Sequence, residues 1–212
     1  NVALLIEEEH SKPEQTSPEL IEQFKKQLPI FKSQVILMIY NLVEGTVNKA
    51  ITSIFDEVTD ANLNYVDLSE HLQKIWLKYL MLNVDDSGNH IERMSAANQF
   101  VNDAVVIELT TFRQNNKSYF GAGSLDSKRI ENILKKFSIN MELKEFKLQE
   151  IKNDRNFLAH GEKSFTTVGQ EKTVSELLTN CGKVLIYLEH FIGKVTSYIN
   201  DESFKNSVPP SA

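Results

Sequence analysis

The chain of 212 residues contains one cysteine, Cys181, so it can form no internal disulfide, and a reducing cytoplasm is the expected setting. Cys181 falls among apolar residues on an expected helix, where a thiol behaves as a small buried hydrophobe rather than a nucleophile. No apolar run reaches the length of a membrane span, and Val2–Ile6, short and followed by acids, reads as neither a span nor a signal peptide. Excess positive charge is also missing: the formal net charge is −6, which does not advertise a nucleic-acid binder. His10, His71, His90 and His190 stand at no metal-ligand spacing with one another or with Cys181. Gly121-Ala-Gly123 lacks the Gly-Lys-Ser/Thr ending of a phosphate loop, and Asp85-Asp86 lacks the ligand pattern of a calcium loop. No Gly-x-Ser-x-Gly or Ser-His-Asp arrangement occurs, which removes the common serine hydrolases. There is no internal repeat and no low-complexity tract.

What the chain does have is 41% hydrophobic and 25% charged residues, enough to build one globular domain with an ample core. Its apolar spacing is helical throughout. Residues 1–18 are polar with two prolines and read as a flexible arm. Leu20–Gln27 suits a short helix, and Pro29 then opens the longest helical pattern, Ile30 to about Val58, with Phe31, Val35, Met38, Leu42, Ile51, Ile54, Phe55 and Val58 spaced for a core. Val35–Val43 is apolar nearly all round, so this helix is expected to run through the centre of a bundle. Further helices are expected around Leu68–Leu80, from Ser95 to about Phe112, from Ser124 or Asp126 to about Phe137, and from Leu143 to His160. Phe165–Lys172 reads as a connecting loop with room for a small hairpin. Thr173-Val-Ser-Glu176 is a capping box that opens a last helix to about Ile199, with Leu177, Val184, Leu188, Phe191, Ile192 and Val195 at core spacing. Residues 200–212 end in Pro209-Pro210 and are expected to fray as a flexible tail. The fold class is all-α, an up-and-down helical bundle over residues 19–199 with extra peripheral helices and loops.

The chemistry concentrates in Ile151–Gly161, which carries Arg155, Asn156 and His160 at the end of one expected helix. Gly161 follows His160 where a helix C-terminus favours a residue free to take positive φ. Arginine presents a permanently charged, planar fork of donors suited to phosphate oxygens, and histidine exchanges a proton near neutral pH. Arg, His and a neutral amide, with no carboxylate cluster beside them, suit metal-independent phosphodiester chemistry. Five residues turn an ideal helix by about 140°, so Arg155 and His160 converge only if His160 lies in the last turn. Residues 117–163, which contain the motif, hold ten Lys/Arg against seven Asp/Glu, whereas the rest hold 13 against 22. Glu44 is a carboxylate at the end of an apolar run. It reads either as a solvated exit residue or as an acid that orients Arg155 or His160 from a neighbouring helix, with Tyr40 and Asn41 available to share that pocket.

Arg155–Gly161 resembles the Arg-polar-x3-His signature of the HEPN superfamily, all-α proteins that include many ribonuclease toxins. Leu28–Glu44 resembles the first core helix of its MAE_28990/MAE_18760-like group, Gly123–Ile130 that group's middle segment, and His160–Gly169 its loop after the motif. These segments cover most of residues 28–199 in the expected order. The resemblance implies a homodimeric endoribonuclease of a toxin or phage-defence type, a hydrolase-class nuclease acting on RNA by attack of the ribose 2′-OH. Arg155, His160 and Asn156 would be its catalytic residues, in one cleft formed by two copies of the motif. It implies no metal and no organic cofactor, and leaves room for an antitoxin or another operon-encoded partner protein. Two other readings stand beside it: a non-catalytic HEPN module that binds RNA or a partner protein, and a structural subunit of a defence complex.

Overall fold

The structure, a computed structural model, describes residues 17–83, 104–115, 119–120, 125–141 and 148–206. Of the arm expected over residues 1–18, residues 1–16 lie outside the described residues, as do the loop at Val84–His90 and the Pro-Pro terminus, while Ser17 and Pro18 open the first helix. Seven α-helices are described: α1 (Pro18–Asp60), α2 (Glu70–Asn83), α3 (Leu109–Asn115), α4 (Ser127–Lys135), α5 (Leu148–Ala159), α6 (Phe165–Gln170) and α7 (Val174–Asn200). A 3₁₀ turn at Tyr65–Asp67 links α1 to α2. The chain is all-α. The described residues contain no strand, only an isolated antiparallel bridge between Leu68 and Lys205. Among them no helix is long and apolar enough to cross a membrane.

α1 is the longest of the described helices. It runs unbroken for 43 residues, through Pro29, in place of the two helices the sequence suggests. The stronger start signal lies upstream. The Ser17 hydroxyl accepts from the Leu20 amide at 3.3 Å, and Pro18 occupies the first turn, where its missing N–H costs nothing. Residues 18–28 are mostly good helix formers, with Glu22 and Lys26 paired at 3.0 Å one turn apart. α1 packs against α5, α6 and α7. Its core face carries Ser33, Ile36, Tyr40, Val43 and Val47, then Ile51, Ile54, Phe55 and Val58. The rings of Phe55, Phe112, Phe120 and Phe137 fill the core, with neighbouring centroids 5.0–5.8 Å apart.

α1 does not run through the centre of the bundle. Phe31, Met38 and Leu42, expected in the core, are 47%, 69% and 46% exposed, and Ile192 of α7 is likewise exposed. The spacing placed them on a helix correctly but could not say which side of it the other helices would cover. Residues 104–108, expected as helix, run without one, and the Val105 amide donates to the Leu63 carbonyl at 2.8 Å. Val105, Val106 and Ile107 are buried, exposed and buried in turn, the period of two that a β-branched run prefers. Phe165–Gln170 is a helix rather than a loop with a hairpin, capped by Ser164, whose hydroxyl accepts from the Thr167 amide at 3.1 Å. Residues 201–206 are pinned rather than frayed. Phe204 is buried, its carbonyl accepts from the Ser69 amide at 2.8 Å, and the Asn206 amide donates to the Asp67 carbonyl at 2.7 Å.

α6 and α1 meet main chain to main chain. A Cβ placed on Gly169 would lie 1.8 Å from the Pro29 carbonyl oxygen, so only glycine lets the two backbones approach this closely. The Ser33 hydroxyl donates to the Phe165 carbonyl at 2.6 Å, and the Lys32 ammonium donates to the Lys172 carbonyl, closing the same seam. Gly169→Ala is expected to lower stability by about 3 kcal/mol through overpacking against main chain. Gly193→Ala, where nothing lies within 4 Å of the added methyl, is expected to raise it by about 0.5–1 kcal/mol. Urea midpoints of the two variants should move in opposite directions.

Candidate active site

The site is built on α5, and its end is set by local geometry. Gly161 takes φ +69°, the Glu162 amide donates to the Phe157 carbonyl at 2.9 Å, and the Gly161 amide donates to the Leu158 carbonyl at 3.3 Å. This is the paired bonding of a Schellman termination, with Gly161 just past the helix and His160 as its last, half-helical residue. His160 is exposed, and among the described residues its ring has no hydrogen-bond partner. No hydrogen bond joins it to Arg155.

Arg155 lies one turn earlier and is half-buried. Its Nη2 is 3.4 Å from Glu44 Oε2, its Nη1 donates to Asn156 Oδ1 at 3.1 Å, and its guanidinium carbon stands 4.7 Å from the centre of the Tyr40 ring. A carboxylate, an amide and an aromatic face thus restrain one cation from three sides. Tyr40 is fixed in turn. The Leu125 amide donates to its oxygen at 2.6 Å, and its hydroxyl lies 3.4 Å from the Leu125 carbonyl. Burial, and after it the Glu44 carboxylate, push the Tyr40 phenol up to about 12, so it stays neutral at physiological pH.

The structure therefore brings Tyr40, Glu44, Arg155 and Asn156 together, with His160 at the rim. Asn41 does not join them. One residue is about 100° of rotation, which turns Asn41 out of the pocket of Tyr40 and into an open, apolar groove between α1 and α7.

Two further ion-pair clusters hold the motif helix in place, and of their residues the sequence singled out only Asp126, as a helix cap. Asp154, buried beside Arg155, pairs with Lys172 at 2.8 Å, and Lys172 also reaches Glu150 at 2.7 Å. Lys152 pairs with Asp126 at 2.8 Å, and Asp126 also caps α4 by accepting from the Arg129 amide at 2.8 Å. Positions 152, 154 and 155 of α5 thus tie it to α4, to the α6–α7 connection and to α1 respectively. Burial pulls the Lys172 ammonium down, but the hydrogen bonds and charges of Asp154 and Glu150 outweigh it and leave it above the ordinary lysine value. Burial likewise raises Asp126, and Lys152 and the Arg129 amide more than reverse it, holding it below the usual carboxylate value. Only the ends of these pairs are visible as sequence, 18 and 26 residues apart, with no periodicity to link them. Among the described residues no group of three or more His, Cys, Asp or Glu side chains could hold a metal ion.

The family model described as HEPN_MAE_28990-like HEPN matches residues 4–204, nearly the whole chain. No curated protein and no solved structure matches it.

Removing the Lys172 charge leaves Asp154 buried without its cation. Lys172→Met is expected to cost about 3 kcal/mol, and Lys172→Met with Asp154→Leu should recover most of that loss. The native advantage should be complete at neutral pH and fade only as pH rises above the unfolded lysine value of about 10.4, because the folded value is the higher one. Denaturant midpoints of the three proteins, measured across pH, check both statements.

Proposed function

The chain belongs to the HEPN_MAE_28990-like HEPN family, and on that premise we propose that it is a metal-independent endoribonuclease of a toxin or phage-defence type. The observation that carries the reading is the restrained Arg155 fork one turn before an exposed His160. Among the described residues the guanidinium uses two of its N–H groups, toward Glu44 and Asn156, and an arginine has five, so donors are left for phosphate oxygens.

In this reading the ribose 2′-OH gives up its proton and attacks the adjacent phosphate, and the bond from phosphorus to the 5′-oxygen of the next nucleotide breaks, leaving a 2′,3′-cyclic phosphate and a 5′-hydroxyl that has taken up a proton. Arg155 stabilises the charge that grows on the phosphoryl oxygens. His160 exchanges the proton as general acid or base, and its solvent-facing position at the end of α5 leaves it open to an RNA strand. Asn156 positions a phosphate oxygen while its own carbonyl holds the Arg155 fork. Glu44 and Tyr40 are positioning residues, acting through the orientation of Arg155. The ion pair is long and engages one nitrogen, so a phosphate can compete for the same fork.

A second reading, a module that binds RNA without cutting it, shares the same cation and would show affinity with no turnover. Purified protein incubated with total RNA in EDTA should cleave it, and Arg155→Ala and His160→Ala should each lose at least about a hundredfold in rate, on the scale of lost charge stabilisation or lost proton transfer. Cleavage equal in all three proteins would remove these residues from the reaction, and dependence on added metal would defeat the mechanism. Glu44→Gln should lower cleavage while the protein stays folded, because glutamine keeps the shape and loses the charge that aims Arg155. Circular dichroism beside the rate measurement separates the two effects.

A further inference from the structure

α5 buries Leu148, Ile151, Asp154 and Leu158. On the side turned away from Ile151 and Leu158 stand Gln149, Asn153, Asn156 and His160. At about 100° per residue these four fall within a stripe about 60° wide, and at about 1.5 Å per residue the stripe runs for about 16 Å. Gln149, Asn153 and His160 are exposed, and Asn156 is half-buried. Three amides and an imidazole thus line the outer face, with no carboxylate, ammonium or guanidinium among them. The charged residues of α5 lie to either side, Lys152 and Arg155 on one flank and Glu150 and Asp154 on the other. Both acids are held by Lys172, at 2.7 and 2.8 Å. The uncharged stripe therefore has a cationic edge on one side only.

Glutamate and lysine are better helix formers than asparagine and usually cover a solvated helix face. The two asparagines on this face do nothing for the helix, and what they offer is hydrogen bonding. Gln149 Nε2 donates to Asn153 Oδ1 at 2.8 Å. With that oxygen engaged, Asn153 presents its amide N–H groups to a ligand, and Gln149 presents its carbonyl oxygen. A donor beside an acceptor is the combination that meets the edge of an unpaired base. Lys152 stands one turn before Arg155 on the cationic edge. Its ammonium pairs with Asp126 at 2.8 Å, and an ammonium has three donors.

We propose that this outer face of α5 is a base-reading subsite, in which Gln149 and Asn153 select the nucleotide next to the cut. The proposal rests on the ribonuclease reading above. A strand whose backbone follows the Lys152–Arg155 edge has one phosphate at Arg155, on the way to His160, and the neighbouring phosphate at Lys152. The base between them falls over Asn153, the residue that follows Lys152. The work then divides along the helix. Arg155 and His160 act on the phosphate whatever base adjoins it, and Gln149 and Asn153 act on the base alone. Substitutions at 149 and 153 therefore change where the RNA is cut, whereas substitutions at 155 and 160 change whether it is cut.

The test is to incubate the full chain with a pool of single-stranded RNA oligonucleotides of random sequence and to sequence the cut ends. The parent protein should favour particular bases at a position next to the cut. Gln149→Ala combined with Asn153→Ala, both at exposed positions where alanine is the better or an equal helix former, should stay folded by circular dichroism. In that variant the ratio between the best and worst base should fall on the order of tenfold, the scale of one lost base contact. Asn153→Asp, which replaces the donor by an acceptor, should change which base is preferred. Asn132→Ala, at an exposed amide of α4, should leave the preference as it is. A parent that cuts with no base preference beside the cut overturns the proposal, and so does a preference unchanged in the Gln149 and Asn153 variants. In both cases cutting is still seen, so the ribonuclease reading survives. Absence of cutting by the parent defeats the ribonuclease reading itself and takes the proposal with it.

Discussion

Gly169 of α6 packs main chain against main chain on Pro29 of α1, where an added Cβ would meet the Pro29 carbonyl. This contact admits no side chain, and it sets the height at which the chain leaving α6 passes α1. That height matters because Lys172 follows three residues later, with its carbonyl held by Lys32 of α1 and its ammonium delivered to Asp154 and Glu150 of α5. A wider approach of α6 would withdraw the cation and leave Asp154 buried and unpaired, which the interior does not tolerate cheaply. The packing of one glycine is thus coupled, through one lysine, to the seating of the helix that carries Arg155 and His160.

The rest of the site follows from that seating. With α5 tied at Lys152 to α4 and at Asp154 to the α6–α7 connection, Arg155 is left facing α1, where Glu44 and the Tyr40 ring meet it. Tyr40 links this cation back to the segment ahead of α4 through the Leu125 main chain. Half-buried groups interact more strongly than they would in water, so a single long ion pair beside an aromatic face can restrain the guanidinium without consuming all of its donors. His160 stands outside this network, exposed at a helix end whose geometry is set by Gly161.

α1 also shows why an apolar pattern is an incomplete guide to a core. Its residues from Val35 to Val43 are apolar nearly all round, the usual mark of a helix surrounded by its own chain. Here one side is surrounded and the other carries Met38 and Leu42 into solvent. Hydrophobic spacing reports that a helix has an apolar face; it does not report whether the other helices of the chain cover it.

What the sequence by itself determined is what depends on neighbours a few residues away. The all-α class, the Thr173–Glu176 capping box, the Asp126 cap of α4 and the Gly161 termination rest on bonds spanning three to five residues, and all are present. Family membership was equally legible, because it rests on segments in order along the chain. At Pro29 the sequence reading failed because a stronger local start, at Ser17 and Pro18, prevailed; elsewhere a distant partner had overridden or completed a local signal: the extended run at Val105–Ile107 bound to Leu63, the helical turn at Phe165–Gln170 laid on α1, and Phe204 bonded to Ser69 beside the Leu68 bridge. In the candidate site, Arg155, Asn156 and His160 stood out because they lie in one short stretch. The choice of Arg155 rather than His160 as the partner of Glu44, the turning away of Asn41, and the parts played by Asp154 and Lys172 were decided only by packing. Those contacts join residues from 18 to 111 positions apart, and a chain carries no periodic signal over such separations.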